Sequence, residues 1–174
     1  MNFIARLFSQ ASSPRVPRSV IADLVIDLSA SRCGHTALGA PVSELDFFAE
    51  FLRKKAHFED LSNGFDAGTE HGALDYVGLD LTSFPGKFQA NGRDIKLTTS
   101  TTIEEITSCF GQPYWRDDDA DETILFYEGG VGELQLEFTN NRNLSFITLT
   151  HTPLLADPAQ RAAYGVTKPW PPQS

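Results

Sequence analysis

The sequence predicts an α+β fold, with helices packed on antiparallel sheet and the chain organised as two αβββ halves. Three observations predict it. Two helical segments carry their own start and stop signals, and each leads into a series of short alternating or apolar runs. LDYVGLDL and LFYEGGVGELQLEF also share an apolar-x-Tyr-x-Gly theme that puts Tyr76 and Tyr127 in equivalent places. The expected organisation is an N-terminal helix and linker over 1–19, an α+β domain over 20–153 with pseudo-repeats 20–97 and 98–153, and a C-terminal helix and Pro-rich tail over 154–174.

The elements follow in chain order. Residues 1–20 hold Arg6, Arg15, Arg18, four serines and no acid, a composition shared with mitochondrial presequences. The segment is short and modest in arginine, which favours a helix followed by the linker SSPRVPRS. Val20, Ala22, Leu24, Ile26 and Leu28 alternate with Asp23 and Asp27, the pattern of a half-buried strand. After the polar SASRCGH, Pro41 suits a first helical turn, and Val42, Leu45, Phe48 and Leu52 form an apolar stripe closed by Arg53, Lys54 and Lys55. Residues 56–73 read as irregular, and LDYVGLDL as a strand with Val77, Leu79 and Leu81 on one face. Asn91-Gly92 between two alternating runs predicts a hairpin, because both residues tolerate positive φ. In TTIEEITSCFGQP, Thr101 and Glu104 have capping-box spacing, Ile103, Ile106 and Phe110 form the stripe, and Gly111 and Pro113 end the helix. WRDDDADE reads as an acidic loop, TILFYE as a strand, and ELQLEF as a strand with Leu134, Leu136 and Phe138 inward and Glu133, Gln135 and Glu137 outward. LSFITL returns as a further strand, Asp157-Pro158 starts a short C-terminal helix, and TKPWPPQS is extended.

With 174 residues the chain is long enough for a substantial core. Its 14 Lys+Arg against 23 Asp+Glu give a net charge of −9, which disfavours general phosphate-backbone binding. The excess is local. Residues 1–60 hold seven basic and seven acidic side chains, whereas 61–174 hold seven and sixteen. Eight acids and no Lys or Arg lie from Asp117 to Glu137. No apolar run approaches the ~20 residues that span a bilayer, so a soluble cytoplasmic protein with no membrane association is expected. Cys33 and Cys109 have no zinc or disulfide-scaffold spacing.

Catalytic and metal-binding patterns are weak. Asp117-x-Asp119-x-Asp121 with Glu128 matches part of a calcium loop, but Glu122 stands where that loop needs Gly, and no helix leads in. His35, His57, His71 and His151 are scattered, Cys33-Gly-His35 lacks an orienting third group, and Cys109 falls beside the helical stripe as a small core residue. No glycine-rich phosphate loop occurs. No cofactor, no metal and no enzyme activity is therefore expected.

The stretch from TTIEEITSCFGQPYWRDDD to GELQLEF resembles the helix, Gly-x-Pro and apolar-Tyr strand pattern of small bacterial β-lactamase-inhibitor-like and SmpA/OmlA-like domains. The segment from GAPVSELDFF to LDYVGLDL is similar to a divergent second copy. Together they resemble bacterial immunity proteins of polymorphic or type VI secretion toxins. That resemblance implies a cytoplasmic monomer or weak dimer that binds a cognate toxin, occludes its active site, and carries no catalytic residues. The lack of a lipoprotein signal argues against an envelope role. The expected partner-binding residues are Tyr114 and Trp115 as aromatic anchors and Asp117, Asp118, Asp119, Asp121, Glu122, Glu133, Gln135 and Glu137 as the acidic surface, set against a toxin with a basic cleft. Two other readings are a small metal-dependent hydrolase using the acidic loop and a structural or adaptor domain.

Overall fold

Strict alternation sets the architecture. In Gly132–Thr139, Leu134, Leu136 and Phe138 are buried on one side, as the ELQLEF pattern predicts. The computed structural model describes residues 16–44, 50, 52, 55–129, 131–140 and 142–171. Twelve described strands run in chain order: β1 (Val25–Asp27), β2 (Arg32–Cys33), β3 (Thr36–Ala37), β4 (His57–Asp60), β5 (Phe65–Glu70), β6 (Ala73–Asp80), β7 (Lys87–Ala90), β8 (Arg93–Ile95), β9 (Trp115–Asp118), β10 (Glu122–Gly129), β11 (Gly132–Thr139) and β12 (Asn143–Thr150). They form a five-stranded sheet, β3-β2-β1-β7-β8, and a seven-stranded sheet, β4-β5-β6-β12-β11-β10-β9. The described helices are short: α1 (Arg18–Ala22), α2 (Ile103–Phe110) and α3 (Pro158–Ala163). The protein is therefore mostly β, and α+β only in a broad sense.

The larger sheet is antiparallel throughout and consists of two meanders, β4–β6 and β9–β12, that meet where β6 pairs with β12. Its inner face is a lattice of apolar rungs. Leu125, Leu136, Ile147, Leu79 and Phe65 are register partners across five strands, and each is at most 2% exposed. Phe58, Phe65, Phe84 and Phe88 form a run of ring contacts at 6.1, 6.4 and 5.6 Å that leads from this sheet to β7 in the smaller one. Residues of both sheets thus share one apolar core.

Several local expectations shift. The alternating segment 20–28 is a strand only over β1, because Arg18–Ala22 turns as helix and buries Ile21 while leaving Val20 exposed. Of the helix expected from Pro41 to Lys54, Val42–Glu44 is a 3-10 turn and Glu50 and Leu52 are helical; Leu45, Phe48, Arg53 and Lys54 lie outside the described residues. The first meander comes from 57–80, including the stretch expected to be irregular, whereas the strands near 87 and 94 belong to the other sheet. The hairpin at Asn91-Gly92 forms as read, with φ of 52° and 70°. The capping box sits one residue later than its spacing suggested. Thr102 Oγ1 accepts from the Glu105 amide at 3.2 Å, and Glu105 accepts from the Thr102 amide at 2.8 Å. Thr101 is instead buried and accepts from the Thr98 amide. Cys109 lies on the exposed side of α2 rather than in the core. Tyr76 and Tyr127 are not equivalent. Tyr127 is buried on the inner-face rung opposite Leu134, whereas Tyr76 belongs to the opposite face.

Candidate functional site

The seven-stranded sheet has a second face, and its residues follow from the same alternation. Three outward rungs are fixed by register. The first runs Asp117, Ile124, Glu137, Phe146, Asp80 across β9, β10, β11, β12 and β6. The second runs Trp115, Phe126, Gln135, Thr148, Gly78, Asp66, Glu59 across all seven strands. The third runs Glu128, Glu133, Thr150, Tyr76, Gly68, His57. One end of this face is aromatic and the other acidic.

The aromatic end is covered by the chain itself. Asp157 caps α3 by accepting from the Gln160 amide at 2.9 Å, and Pro158 occupies the first turn, where no backbone donor is needed. This helix holds Arg161 against β10. Its guanidinium pairs with Glu128, donates to the carbonyls of Leu155 and Lys168 at 3.1 Å each, and lies 5.0 Å from the centre of the Tyr114 ring. Both side chains of the pair are almost wholly buried, and Lys168 Nζ approaches Glu128 Oε2 at 3.4 Å. Tyr114 donates its hydroxyl to Glu133 at 2.5 Å; Glu133 also accepts from Gln135 Nε2 at 2.7 Å and from the Leu154 amide at 3.3 Å. Burial raises the pKa of Glu133, with the nearby Glu128 charge adding to the rise against three opposing hydrogen bonds. Burial and the Glu133 carboxylate raise the Tyr114 phenol as well. Trp115 stacks on the buried Phe126 at 4.4 Å and meets Tyr164 at 5.2 Å.

The acidic end forms an open hollow of about 800 Å³. Glu59, Asp66, Asp80, Glu122 and Glu137 line it with His57, Tyr76 and Phe146, and no Lys or Arg is among its described lining residues. Two glycines shape the floor by close approach. A Cβ at Gly68 would come within 2.1 Å of the Tyr76 ring, and one at Gly78 within 2.4 Å of Asp66 Oδ1 and 3.1 Å of the Phe146 ring. The missing side chains let the Tyr76 ring and the Asp66 carboxylate settle onto the sheet.

The residues expected to bind a partner therefore separate into three places. Glu122, Gln135 and Glu137 line the hollow. Tyr114, Trp115 and Glu133 are packed at the covered end, and Glu133 has no exposed surface. Asp117, Asp118, Asp119 and Asp121 lie in β9 and the tight turn after it, not in a long loop, because Asp118 pairs with Thr123 and the Asp119 amide bonds the Glu122 carbonyl. Arg116 and Thr123 both bond the Asp118 carboxylate and hold its pKa below the ordinary value. His57, Glu59, Asp66, Tyr76, Asp80 and Phe146 are not among the partner-binding residues the sequence suggests, although period-2 alternation through 57–60 and 76–80 is a signal that groups His57 with Glu59 and Tyr76 with Asp80. Cys33 is buried and His35 exposed; among the described residues no group of three His, Cys, Asp or Glu side chains is placed to hold a metal ion. No described helix is long and apolar enough to cross a membrane.

No protein-family model matches this chain, and no curated protein matches it. Among solved structures, a DUF4309 family protein from Bacillus subtilis is similar with 13% identity and a TM-score of 0.36, over 51% of this chain and 58% of its own.

Proposed function

We propose that the chain is a non-enzymatic binding module that captures a basic protein partner on the open outer face of the seven-stranded sheet. In its concrete form it is a bacterial immunity protein that occludes the active-site cleft of a cognate toxin in the cytoplasm. The two meanders, each preceded by helical residues, are then divergent copies of one helix-plus-meander unit. The observation that carries the reading is the hollow lined by five carboxylates, with no Lys or Arg among its described lining residues. A concave surface rich in one sign of charge focuses its field, speeds capture of an oppositely charged partner and disfavours acidic ones.

The test is co-expression with the product of the adjacent reading frame, followed by kinetics with the purified pair. The expected result is rescue of growth that is lost in the Asp66→Lys/Glu137→Lys variant, with association slowed about tenfold and its salt dependence flattened. A tight partner whose affinity and salt dependence ignored both reversals would overturn the reading.

A further inference from the structure

The five-stranded sheet ends on β8, a short strand whose far side has no neighbouring strand among the described residues. Its backbone directions follow from β7. Gln89 of β7 turns its carbonyl toward β1, accepting from the Leu28 amide at 2.9 Å, so its register partner Asp94 stands opposite it without backbone hydrogen bonds. The N–H and C=O of Asp94 therefore point away from the sheet. Continued alternation gives the same aspect to Lys96, which follows β8 directly. No described backbone group outside β7 bonds to either residue. Asp94 and Lys96 are exposed, whereas Ile95 and Leu97 are half-buried against the core. Beside them, Ile95 and Leu97 join Ile106 and Cys109 of α2 in bordering an open groove of about 500 Å³. Edge and groove together suit one more strand, with backbone donors and acceptors on one side and an apolar wall along the other.

We infer that this edge takes the same edge of a second copy, β8 against β8, antiparallel about a two-fold axis through Ile95. Hydrogen-bond register and charge choose that occupant together. Only residues whose N–H and C=O point outward can exchange bonds across the join, and Asp94 and Lys96 are such residues. With Ile95 on the axis, Asp94 of each copy faces Lys96 of the other at a Cα separation of about 5.5 Å, each pair exchanging both of its backbone hydrogen bonds. An Asp–Lys pair thus forms on either side of the axis. A register slipped by two sets Asp94 against Asp94 or Lys96 against Lys96, so charge rejects it. Ile95 meets its own copy in the closer, non-hydrogen-bonded position beside the groove, where a β-branched side chain packs well. The contact is isologous and closes at two copies. So short an edge buries little area, which makes the dimer weak and concentration-dependent. None of Arg93–Leu97 lines the hollow on the larger sheet, so self-pairing and partner capture use separate surfaces.

The test follows sedimentation velocity of the full chain up to the millimolar range, with 15N spectra at the same concentrations. The expected result is a monomer–dimer equilibrium whose largest concentration-dependent amide shifts fall at Asp94 and Lys96. Asp94→Lys and Lys96→Asp, each alone, should weaken self-association at least about fivefold, because each turns both cross-strand pairs into like-charge contacts. An equimolar mixture of the two variants should dimerise at least as well as wild type, since every cross-strand pair is then Lys against Asp. Both residues are exposed, and unchanged amide dispersion elsewhere shows that each variant is folded. A chain that stays monomeric throughout overturns the second copy as occupant, whether or not the Asp94 and Lys96 amides respond to the partner found by co-expression. So does a dimer whose shifts centre on another strand, or a mixture that fails to recover.

Discussion

Arg161 and Glu128 show how much one buried pair can decide. A guanidinium with almost no exposed surface is held by a carboxylate, two carbonyls and a ring, so removing it leaves the buried Glu128 with Lys168, at 3.4 Å, as its remaining described cation. Arg161→Met is expected to lower unfolding free energy by about 3–5 kcal/mol in urea titrations, and adding Glu128→Leu should restore much of it. Glu133 gives a pH signature. Its folded pKa is raised, so the folded chain holds this proton at pH values where the unfolded chain, near 4.5, has released it. Its contribution to stability is therefore greatest below about 4.5, declines as pH rises to the folded value, and is level above that. Glu133→Gln should remove the decline, so that variant stability relative to wild type rises across that window; parallel curves would show that Glu133 titrates normally. At this scale the sequence exposes residue types and hides their partners. Tyr114 and Glu133 are visible as an aromatic and an acid 19 positions apart, but nothing local says that Arg161 closes over them.

Elements were legible where their signals are local. The Asn91-Gly92 turn, the ELQLEF alternation and the Asp157-Pro158 helix start each depend on a few adjacent residues, and all three form. The α2 cap was legible to within one residue, because two successive threonines both have an acid three positions on and only the backbone decides between them. Thr102→Ala should cost about 1 kcal/mol and Thr102→Ser much less, by the same unfolding titration. β4 and β5 were missed because Gly64, Gly68 and Gly72 look like loop punctuation, yet Gly68 is a strand residue whose missing side chain admits the Tyr76 ring. β9 is hidden in the sequence because six charged residues in WRDDDADE read as loop, whereas its strand state is set by pairing with β10. The inner rungs carry the sheet's stability. Leu136 is fully buried between Leu125 and Ile147, and Leu136→Ala should cost about 2–5 kcal/mol through lost transfer energy and a residual cavity.

Across the whole molecule, the −9 charge separates into parts with different surroundings. Glu128 is buried against Arg161 of α3 and Glu133 against Tyr114, Glu122 and Glu137 join three acids from the first meander in the hollow, and Asp117–Asp121 line the outermost strand and its turn. Only the pairing of β6 with β12, nearly 70 residues apart in the chain, brings the acids of the two meanders together; a reading along the sequence sees two unrelated runs. The placement of β9 at the end of the larger sheet has one more consequence. A terminal strand offers unpaired backbone groups to any other chain, and charged side chains on it make stacking of a second copy unfavourable. Arg116, Asp117 and Asp118 occupy three of its four positions, so the run first read as a surface for a partner also protects against fibrous self-association. Asp117→Thr/Asp118→Thr should form thioflavin-positive aggregates at lower protein concentration than wild type; an unchanged threshold would show that this strand needs no such guard.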